Sequence, residues 1–160
     1  SGNQDARAGE GNSASPSPST DGQHVWVFFS TGVLACYDFD GTEKWKFDVG
    51  ERFGKLDIQF GMASTPLLVG DHLYLQLIHG VMRKDDDTRS GQVIKLDKLS
   101  GETVWVHERL TQAQFECKHS YASPVLYDDG QRRFVIAHGA DATTGHSPRE
   151  SIRVVSRKNR

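Results

Sequence analysis

The sequence lacks the features that mark several large classes of protein. No apolar run approaches the roughly 20 residues that a membrane-spanning helix needs. The polar, glycine-bearing N-terminus shows no signal peptide. Neither charge dominates, since 19 basic residues stand against 21 acidic ones and the formal net charge is -2. Composition therefore gives no electrostatic reason to expect nucleic acid or an anionic membrane as a partner.

Cysteine is scarce, because Cys36 and Cys117 are the only two in the chain. They are neither adjacent nor part of a CxxC pair, so zinc and thioredoxin-type sites are not indicated. One disulfide and two separate thiols both stay open, although lone cysteines are more often buried thiols. The chain also contains no GxSxG, HExxH or P-loop motif.

Helical periodicity is the next feature that is missing. No apolar stripe with a 3.6-residue period and a useful length occurs anywhere, and this favours an all-β fold. The 160 residues are enough for one ordinary domain. Because the chain starts without a methionine, we expect it to be a piece of a longer protein.

One stretch, Gly91 to Trp105, reads GQVIKLDKLSGETVW and predicts a hairpin. An apolar strand ends at Asp97, a tight turn contains Gly101, and a second strand carries the tryptophan. Glycine supplies the positive φ that such a turn needs. Leu34 to Trp45 repeats the order, so a repeat protein is indicated.

A second repeated phrase places Ser or Thr directly before a proline. Pro18, Pro66 and Pro124 follow this rule and are 48 and 58 residues apart. After each proline the sequence predicts a strand, a tight turn and another strand. Combined with the hairpin above, each unit has about four short antiparallel strands in roughly 50 residues, which is typical of a propeller blade.

These units divide the chain into a series of blades. We expect a tail or loop at 1–13 and a blade at 14–50. A second blade at 51–107 contains an inserted loop at 81–90, whose Asp85, Asp86 and Asp87 fit a solvated loop better than a calcium loop. We expect a partial blade at 108–146 and an irregular or truncated tail at 147–160.

Residues 96–105, LDKLSGETVW, resemble the repeat of pyrroloquinoline-quinone-like (PQQ-like) β-propellers, and residues 36–45, CYDFDGTEKW, resemble it with a shorter turn. The likeness covers about residues 14–146. Members of this family include relatives of the lipoprotein scaffold of the outer-membrane barrel-assembly machine. The resemblance implies a quinoprotein-like, all-β propeller with about three blades present as a partial ring. Remaining blades of a longer chain, or self-association, would then cover the open edges.

The same resemblance assigns structural roles to six repeat positions. In isolation, two of the aspartates look like acid–base candidates, but the repeat makes them caps of tight turns. Two glycines form the turns, and two tryptophans dock against neighbouring structure. The positions are Asp38, Gly41, Trp45, Asp97, Gly101 and Trp105.

Four other residues are candidates for ligand contact. Glu116 and His119 belong to a polar and aromatic stretch before the third blade, and such stretches line the channel or top face of propellers. His138 and Asp141 lie near the end of a predicted strand. Together these side chains could hold a ligand or metal, and ordinary hydrogen-bonded histidines are the alternative.

We expect a non-enzymatic scaffold that binds a protein partner, with no catalytic residues and no cofactor. The family resemblance implies an extracytoplasmic location in bacteria, in the periplasm or cell envelope. One alternative is a fragment of a PQQ-dependent dehydrogenase whose calcium and PQQ sites lie in missing blades; such enzymes usually carry adjacent cysteines. A second alternative is the extracytoplasmic sensor domain of a membrane-anchored kinase.

Overall fold

The computed structural model describes residues 14–54, 56, 62–77, 91–109, 121–139, 142–146 and 152–155. Within these ranges the chain forms twelve strands and one short helix. The strands make three separate four-stranded antiparallel sheets. The predicted tail at 1–13 and the inserted loop at 81–90 lie outside the described residues.

Blade 1 consists of β1 (Ser19–Thr20), β2 (His24–Phe28), β3 (Val33–Asp38) and β4 (Glu43–Asp48). The strands are adjacent in sequence order, each antiparallel to the next. The helix α1 (Val49–Phe53) follows β4 directly, because the Asp48 side chain accepts hydrogen bonds from its first backbone N–H groups.

Blade 2 repeats this order with β5 (Leu67–Val69), β6 (His72–Leu77), β7 (Gln92–Asp97) and β8 (Thr103–Glu108). Both blades have a register shift between their third and fourth strands, near the end of the third. The repeat that the sequence indicates is therefore also a repeat of backbone geometry.

Blade 3 contains β9 (Val125–Asp128), β10 (Arg133–Gly139), β11 (Ala142–His146) and β12 (Ile152–Val155). Its fourth strand pairs with β11 and lies inside the predicted tail at 147–160. The expectation of an irregular tail is wrong for residues 152–155. Their β-branched residues favour a strand without the glycine and tryptophan of the other two hairpins.

Three sheets of this kind confirm an all-β fold built of propeller blades. In the part of the chain that the structure describes, no helix is long and apolar enough to cross a membrane.

The main apolar core lies between blades 1 and 2. Leu73, Leu75 and Leu77 alternate along β6 and therefore share one face of the sheet. This face packs against buried residues of blade 1, among them Trp26 and Leu34. The other fully buried members of the cluster are Phe28, Cys36, Val49, Met62, Ile94 and Leu96.

Cys36 is a buried free thiol in this core. Burial raises the pKa of the Cys36 thiol to about 11, so the group stays protonated at neutral pH. Cys117 lies outside the described residues.

Candidate functional site

The hairpin turns of blades 1 and 2 hold the two repeated aspartates in equivalent positions. In blade 1, Asp38 Oδ1 accepts hydrogen bonds from the backbone N–H groups of Asp40 (3.1 Å) and Thr42 (2.8 Å). The Lys44 ammonium lies 2.8 Å from Asp38 Oδ2. Hydrogen bonding to Lys44 and to Thr42 lowers the pKa of Asp38, so its carboxylate is held ionised as a turn cap.

Asp97 makes the corresponding contacts in blade 2. Its Oδ1 accepts from the backbone N–H groups of Leu99 (3.0 Å) and Ser100 (2.8 Å), and from the Ser100 hydroxyl (3.0 Å). The hydrogen bond from the Ser100 N–H is the largest cause of a lowered pKa for Asp97. In both aspartates, Oδ1 therefore caps the backbone turn that follows.

The turn of blade 2 receives two tryptophans from blade 1. Trp45 Nε1 donates to the Lys98 carbonyl at 3.0 Å, and Trp26 Nε1 donates to the same oxygen at 2.9 Å. The Trp45 ring lies so close to Gly101 that a Cβ built there would be 2.8 Å from the indole. Gly101 is therefore needed for its positive φ of 70° and also for this close approach.

An arginine and an ion pair add to the same contact. The Arg52 guanidinium donates to the Gly101 carbonyl at 2.7 Å and lies 3.4 Å above the centre of the Phe47 ring. Lys98 Nζ lies 3.1 Å from Asp21 Oδ2. We call this set of contacts between blade 1 and residues 97–101 the turn clamp.

Asp21 is held ionised within the clamp. Its burial opposes ionisation, but hydrogen bonds from the Gln23 and His24 N–H groups and the nearby Lys98 ammonium outweigh it. The net result is a pKa for Asp21 well below its ordinary value.

Trp105 occupies the position in blade 2 that Trp45 occupies in blade 1. Its ring meets Tyr74 edge to face, with 6.1 Å between the ring centres. Trp105 is half-buried, and Tyr74 is almost fully buried. Trp105 could make an equivalent contact only with the hairpin turn of blade 3. That turn lies largely outside the described part of the chain.

The four predicted ligand-contact residues are not brought together among the described residues. Glu116, His119 and Asp141 fall outside that part of the chain. His138 lies on β10 with an exposed side chain, and its backbone carbonyl accepts a hydrogen bond from Gln76 Nε2 at 2.7 Å. The described ranges hold no group of three metal-ligating side chains.

The face of blade 2 toward blade 3 carries polar residues that sequence analysis missed. Tyr74 and Gln76 alternate with the leucines of β6, so they share the opposite face. The register places Lys95 beside Tyr74, with its ammonium 5.9 Å from the centre of that ring. All three side chains are at most 7% exposed. The alternation of leucine with polar residues along β6 was the available signal.

The Ser/Thr-Pro phrases meet at the inner strands of the blades. The N–H of Ser17 donates to Thr65 Oγ1 at 3.0 Å, and the N–H of Thr65 donates to Ser123 Oγ at 2.9 Å. Each of these residues directly precedes a proline that leads to an inner strand. The sequence shows the phrase, but its periodicity gives no indication that one copy bonds to the next.

Comparison with known proteins identifies one family and two similar structures. A family model described as outer membrane protein assembly factor BamB matches residues 2–155. BamB from Moraxella catarrhalis has a similar structure, with a TM-score of 0.52 and 14% identity over 91% of this chain and 35% of that one. A europium-containing methanol dehydrogenase has a TM-score of 0.45 and 18% identity over 57% and 15%. Among curated protein sequences, none matches this chain.

The BamB likeness shows a shared fold. This chain spans about a third of the length of that BamB structure.

Proposed function

Because the chain belongs to the family of the outer membrane protein assembly factor BamB, we propose that it is a protein-binding scaffold segment of a PQQ-like β-propeller. It would act in the bacterial cell envelope, on the periplasmic side, during assembly of outer membrane proteins. The match over residues 2–155 is the observation that carries this proposal.

The turn caps and the turn clamp support a role without catalysis. A quinoprotein enzyme would recruit carboxylates and a tryptophan platform for its chemistry. Here Asp38 and Asp97 cap backbone turns, and Trp45 donates to a carbonyl of the next blade. We therefore propose a non-enzymatic protein without a cofactor, in which Trp45 and Trp105 serve as docking residues of the repeat.

The contacts with a partner would come from loops and strand ends that a rigid scaffold presents. His138 has an exposed side chain on β10, Asp141 follows it closely in sequence, and the predicted contact residues Glu116 and His119 belong to the stretch before blade 3. We propose this group as part of the binding surface. Its partner would be a protein of the outer membrane assembly machinery.

Binding of the immobilised chain to purified outer membrane assembly machinery tests the proposal directly. We expect saturable binding by interferometry, weakened several-fold by His138→Ala. Gln131→Ala is the matched control, because Gln131 is exposed on the β9–β10 turn of the same blade. Absence of binding would contradict the scaffold assignment, and equal loss in both variants would contradict the proposed surface.

A titration with PQQ and calcium tests the enzymatic alternative. We expect no saturable quenching of tryptophan fluorescence and no substrate-dependent reduction of a dye. Saturable quenching accompanied by dye reduction with an alcohol or sugar would overturn the non-enzymatic assignment.

A further inference from the structure

Three Asp–Gly pairs occur in the chain, and each lies in a turn between two paired strands. They are Asp21–Gly22, Asp40–Gly41 and Asp129–Gly130. The backbone of such a pair can rearrange, because glycine has no side chain to shield its nitrogen from the aspartate carboxyl group. The three pairs therefore expose the same chemistry to three different surroundings.

The glycines of the three pairs are held in similar ways. Their φ angles are 86°, 82° and 82°, and a Cβ built at any of them would meet nothing within 4 Å. Each glycine N–H donates one hydrogen bond, at 3.1 Å for Gly22 and Gly41 and at 3.0 Å for Gly130. The nitrogen that would attack the carboxyl group is thus similarly accessible and similarly restrained in all three pairs.

The Asp21 carboxylate is held by several donors. Its Oδ1 accepts hydrogen bonds from the N–H groups of Gln23 and His24, at 2.9 and 2.8 Å. Its Oδ2 lies 3.1 Å from the Lys98 ammonium. Burial raises the pKa of Asp21, but these contacts outweigh it and hold the pKa well below its ordinary value.

The Asp129 carboxylate is held in the same way within blade 3. Its Oδ1 accepts from the N–H groups of Gln131 and Arg132, at 3.0 and 2.6 Å. Its Oδ2 accepts from the Arg132 guanidinium at 3.0 Å and from the Tyr127 hydroxyl at 3.1 Å. The hydrogen bonds from Arg132 are the largest causes of a pKa well below the ordinary value for Asp129.

Asp40 differs from the other two aspartates at its carboxyl group. It is exposed on the turn between β3 and β4, and its backbone N–H donates to Asp38 Oδ1 at 3.1 Å. Within the described ranges, no hydrogen bond reaches its carboxylate. Loss of water from a carboxyl group requires the protonated form, which hydrogen bonds to the carboxylate disfavour. The Asp40 carboxyl group is therefore the least protected of the three.

We propose that Asp40 is a site of spontaneous isomerisation to isoaspartate. The Gly41 nitrogen forms a bond to Cγ of Asp40, and the carboxyl hydroxyl leaves as water with the proton of that nitrogen. Water then adds to the main-chain carbonyl carbon of Asp40 in the five-membered imide and breaks its bond to the Gly41 nitrogen. The main chain now runs through the Asp40 side chain, and the mass of the chain is unchanged. The inference does not depend on the proposed role in outer membrane assembly.

The rearranged residue would lie inside the cap of a repeated turn. Asp38 Oδ1 accepts from the N–H groups of both Asp40 and Thr42, and isomerisation inserts a methylene between these two donors. The strand that follows carries Trp45, which donates to the Lys98 carbonyl of blade 2. Isomerisation at Asp40 should therefore loosen the turn clamp.

Incubation of the chain at physiological temperature and neutral pH, followed by digestion and mass spectrometry, measures all three pairs in one sample. Electron-transfer fragmentation distinguishes isoaspartate from aspartate, and an isoaspartyl methyltransferase with S-adenosylmethionine labels the product independently. We expect isoaspartate to accumulate several-fold faster at Asp40 than at Asp21 or Asp129. An equal or slower rate at Asp40 would overturn the proposal.

Unfolding separates the effect of the structure from that of the neighbouring sequence. In concentrated urea the three pairs should isomerise at similar rates, because the contacts that protect Asp21 and Asp129 are lost. A ranking that persists unchanged in urea would assign the preference to the neighbouring residues and contradict the argument from the turns.

Arg132 provides a variant of the folded chain. Arg132→Ala removes the guanidinium from Asp129 and should raise isoaspartate formation there several-fold. Arg133→Ala is the matched control, because Arg133 pairs with Asp128 at 2.8 Å and its loss leaves the hydrogen bonds to Asp129 in place. Equal rates at Asp129 in the two variants would contradict protection by these contacts.

Asp40→Glu tests the consequence for the turn clamp. Its longer side chain would have to form a six-membered ring, so this variant should not isomerise at position 40. After the same incubation, the unchanged chain should unfold at a lower urea concentration than before, and Asp40→Glu should not. An equal loss in both would contradict the expected loosening of the turn clamp.

Discussion

The two faces of blade 2 differ sharply in chemistry although they belong to the same strands. Toward blade 1, β6 presents Leu73, Leu75 and Leu77, which join the main apolar core. Toward blade 3, the same strand presents Tyr74 and Gln76, both almost fully buried. One strand with a period of two therefore builds an apolar interface on one side and a polar, aromatic interface on the other.

Both interfaces share a backbone-to-hydroxyl bond, from Ser17 to Thr65 and from Thr65 to Ser123, but the other bonds that cross them differ. Blade 1 is tied to blade 2 by the turn clamp, in which Trp26 and Trp45 share the Lys98 carbonyl. Blade 3 is tied to blade 2 by the bond from Gln76 to the His138 carbonyl and by the bond from the Thr65 N–H to the Ser123 hydroxyl. Removal of apolar area from water stabilises by about 25 cal/mol per Å². A typical hydrogen bond contributes only about 1 kcal/mol net.

The contrast predicts unequal stability along the chain. Blades 1 and 2 should unfold as one cooperative unit, and blade 3 should open from them at a lower free energy. Buried polar groups make the interface between blades 2 and 3 specific in register. They lower stability wherever a hydrogen-bonding partner is lost. The variants below test this contrast, beginning with the largest expected effect.

The largest effect is expected where the apolar interface is deleted. Leu75→Ala removes a side chain that is 1% exposed in the core, and we expect it to lower the free energy of unfolding by about 2–5 kcal/mol. Gln76→Leu, one residue along β6, removes the bond to His138 but keeps volume, and should cost about 1–3 kcal/mol. Urea unfolding measures both losses. A larger loss from Gln76→Leu would contradict the view that the apolar interface contributes more to stability than the polar one.

The second effect isolates the close approach in the turn clamp. Gly101 and Gly41 occupy the same turn position with φ of 70° and 82°. A Cβ at Gly101 would meet the Trp45 ring, whereas at Gly41 nothing lies within 4 Å. Gly41→Ala should therefore cost about 1–2 kcal/mol for its backbone conformation alone, and Gly101→Ala clearly more. Equal losses in thermal unfolding would show that the Trp45 contact contributes nothing.

The third effect concerns the carbonyl that two indoles share. Trp26→Phe and Trp45→Phe each remove one N–H donor, but the Lys98 oxygen keeps the other. The lost hydrogen bond should cost about 1 kcal/mol in each single variant, and the smaller ring at fully buried Trp26 should add the cost of a cavity. The double variant leaves the carbonyl without either donor, so its loss should exceed the sum of the single losses. Additive losses in urea unfolding would argue against a shared acceptor.

Much of this architecture is readable from the sequence because the repeat is local. Asp38 and Asp97 stand three or four residues before a glycine, and the turns that they cap depend on those residues alone. The strands of blades 1 and 2 follow from apolar runs between such turns. A strand at Ile152–Val155 was missed because it lacks the Asp–Gly–Trp signature that identified the others.

The interfaces could not be predicted in the same way. Periodicity along β6 separates Leu75 from Gln76, but only the position of neighbouring blades decides which face buries which residue. The hydrogen bond from Ser17 to Thr65 joins residues that are 48 apart in sequence, so no local pattern predicts it. The ligand-contact prediction was equally non-local, and of its members only His138 lies in the described part of the chain.

The smallest effect is a dependence of stability on pH that arises at the polar face. Burial lowers the pKa of both His72 and His107 below the ordinary value of 6.5; the Lys95 charge adds to the effect at His72, and Glu108 opposes it at His107. His72 and His107 share the strand face that includes Tyr74 and Lys95. As the pH falls through 6.5, these two histidines bind more protons in the unfolded chain than in the folded chain. The free energy of unfolding therefore falls with acidification.

Stability should therefore be higher at pH 7.5 than at about pH 5.5, and His72→Gln with His107→Gln should flatten this slope. The lowered pKa values of Asp38 and Asp97 affect stability only in more acidic solution. Between these two pH values both carboxylates are ionised in the folded and in the unfolded chain. Urea unfolding at the two pH values measures the slope directly. Hydrogen exchange would sharpen the test, since the loss at low pH should appear first in blade 3, which packs on the face that carries both histidines. A slope that survives in the double variant would assign the dependence to other groups and remove the polar face as its source.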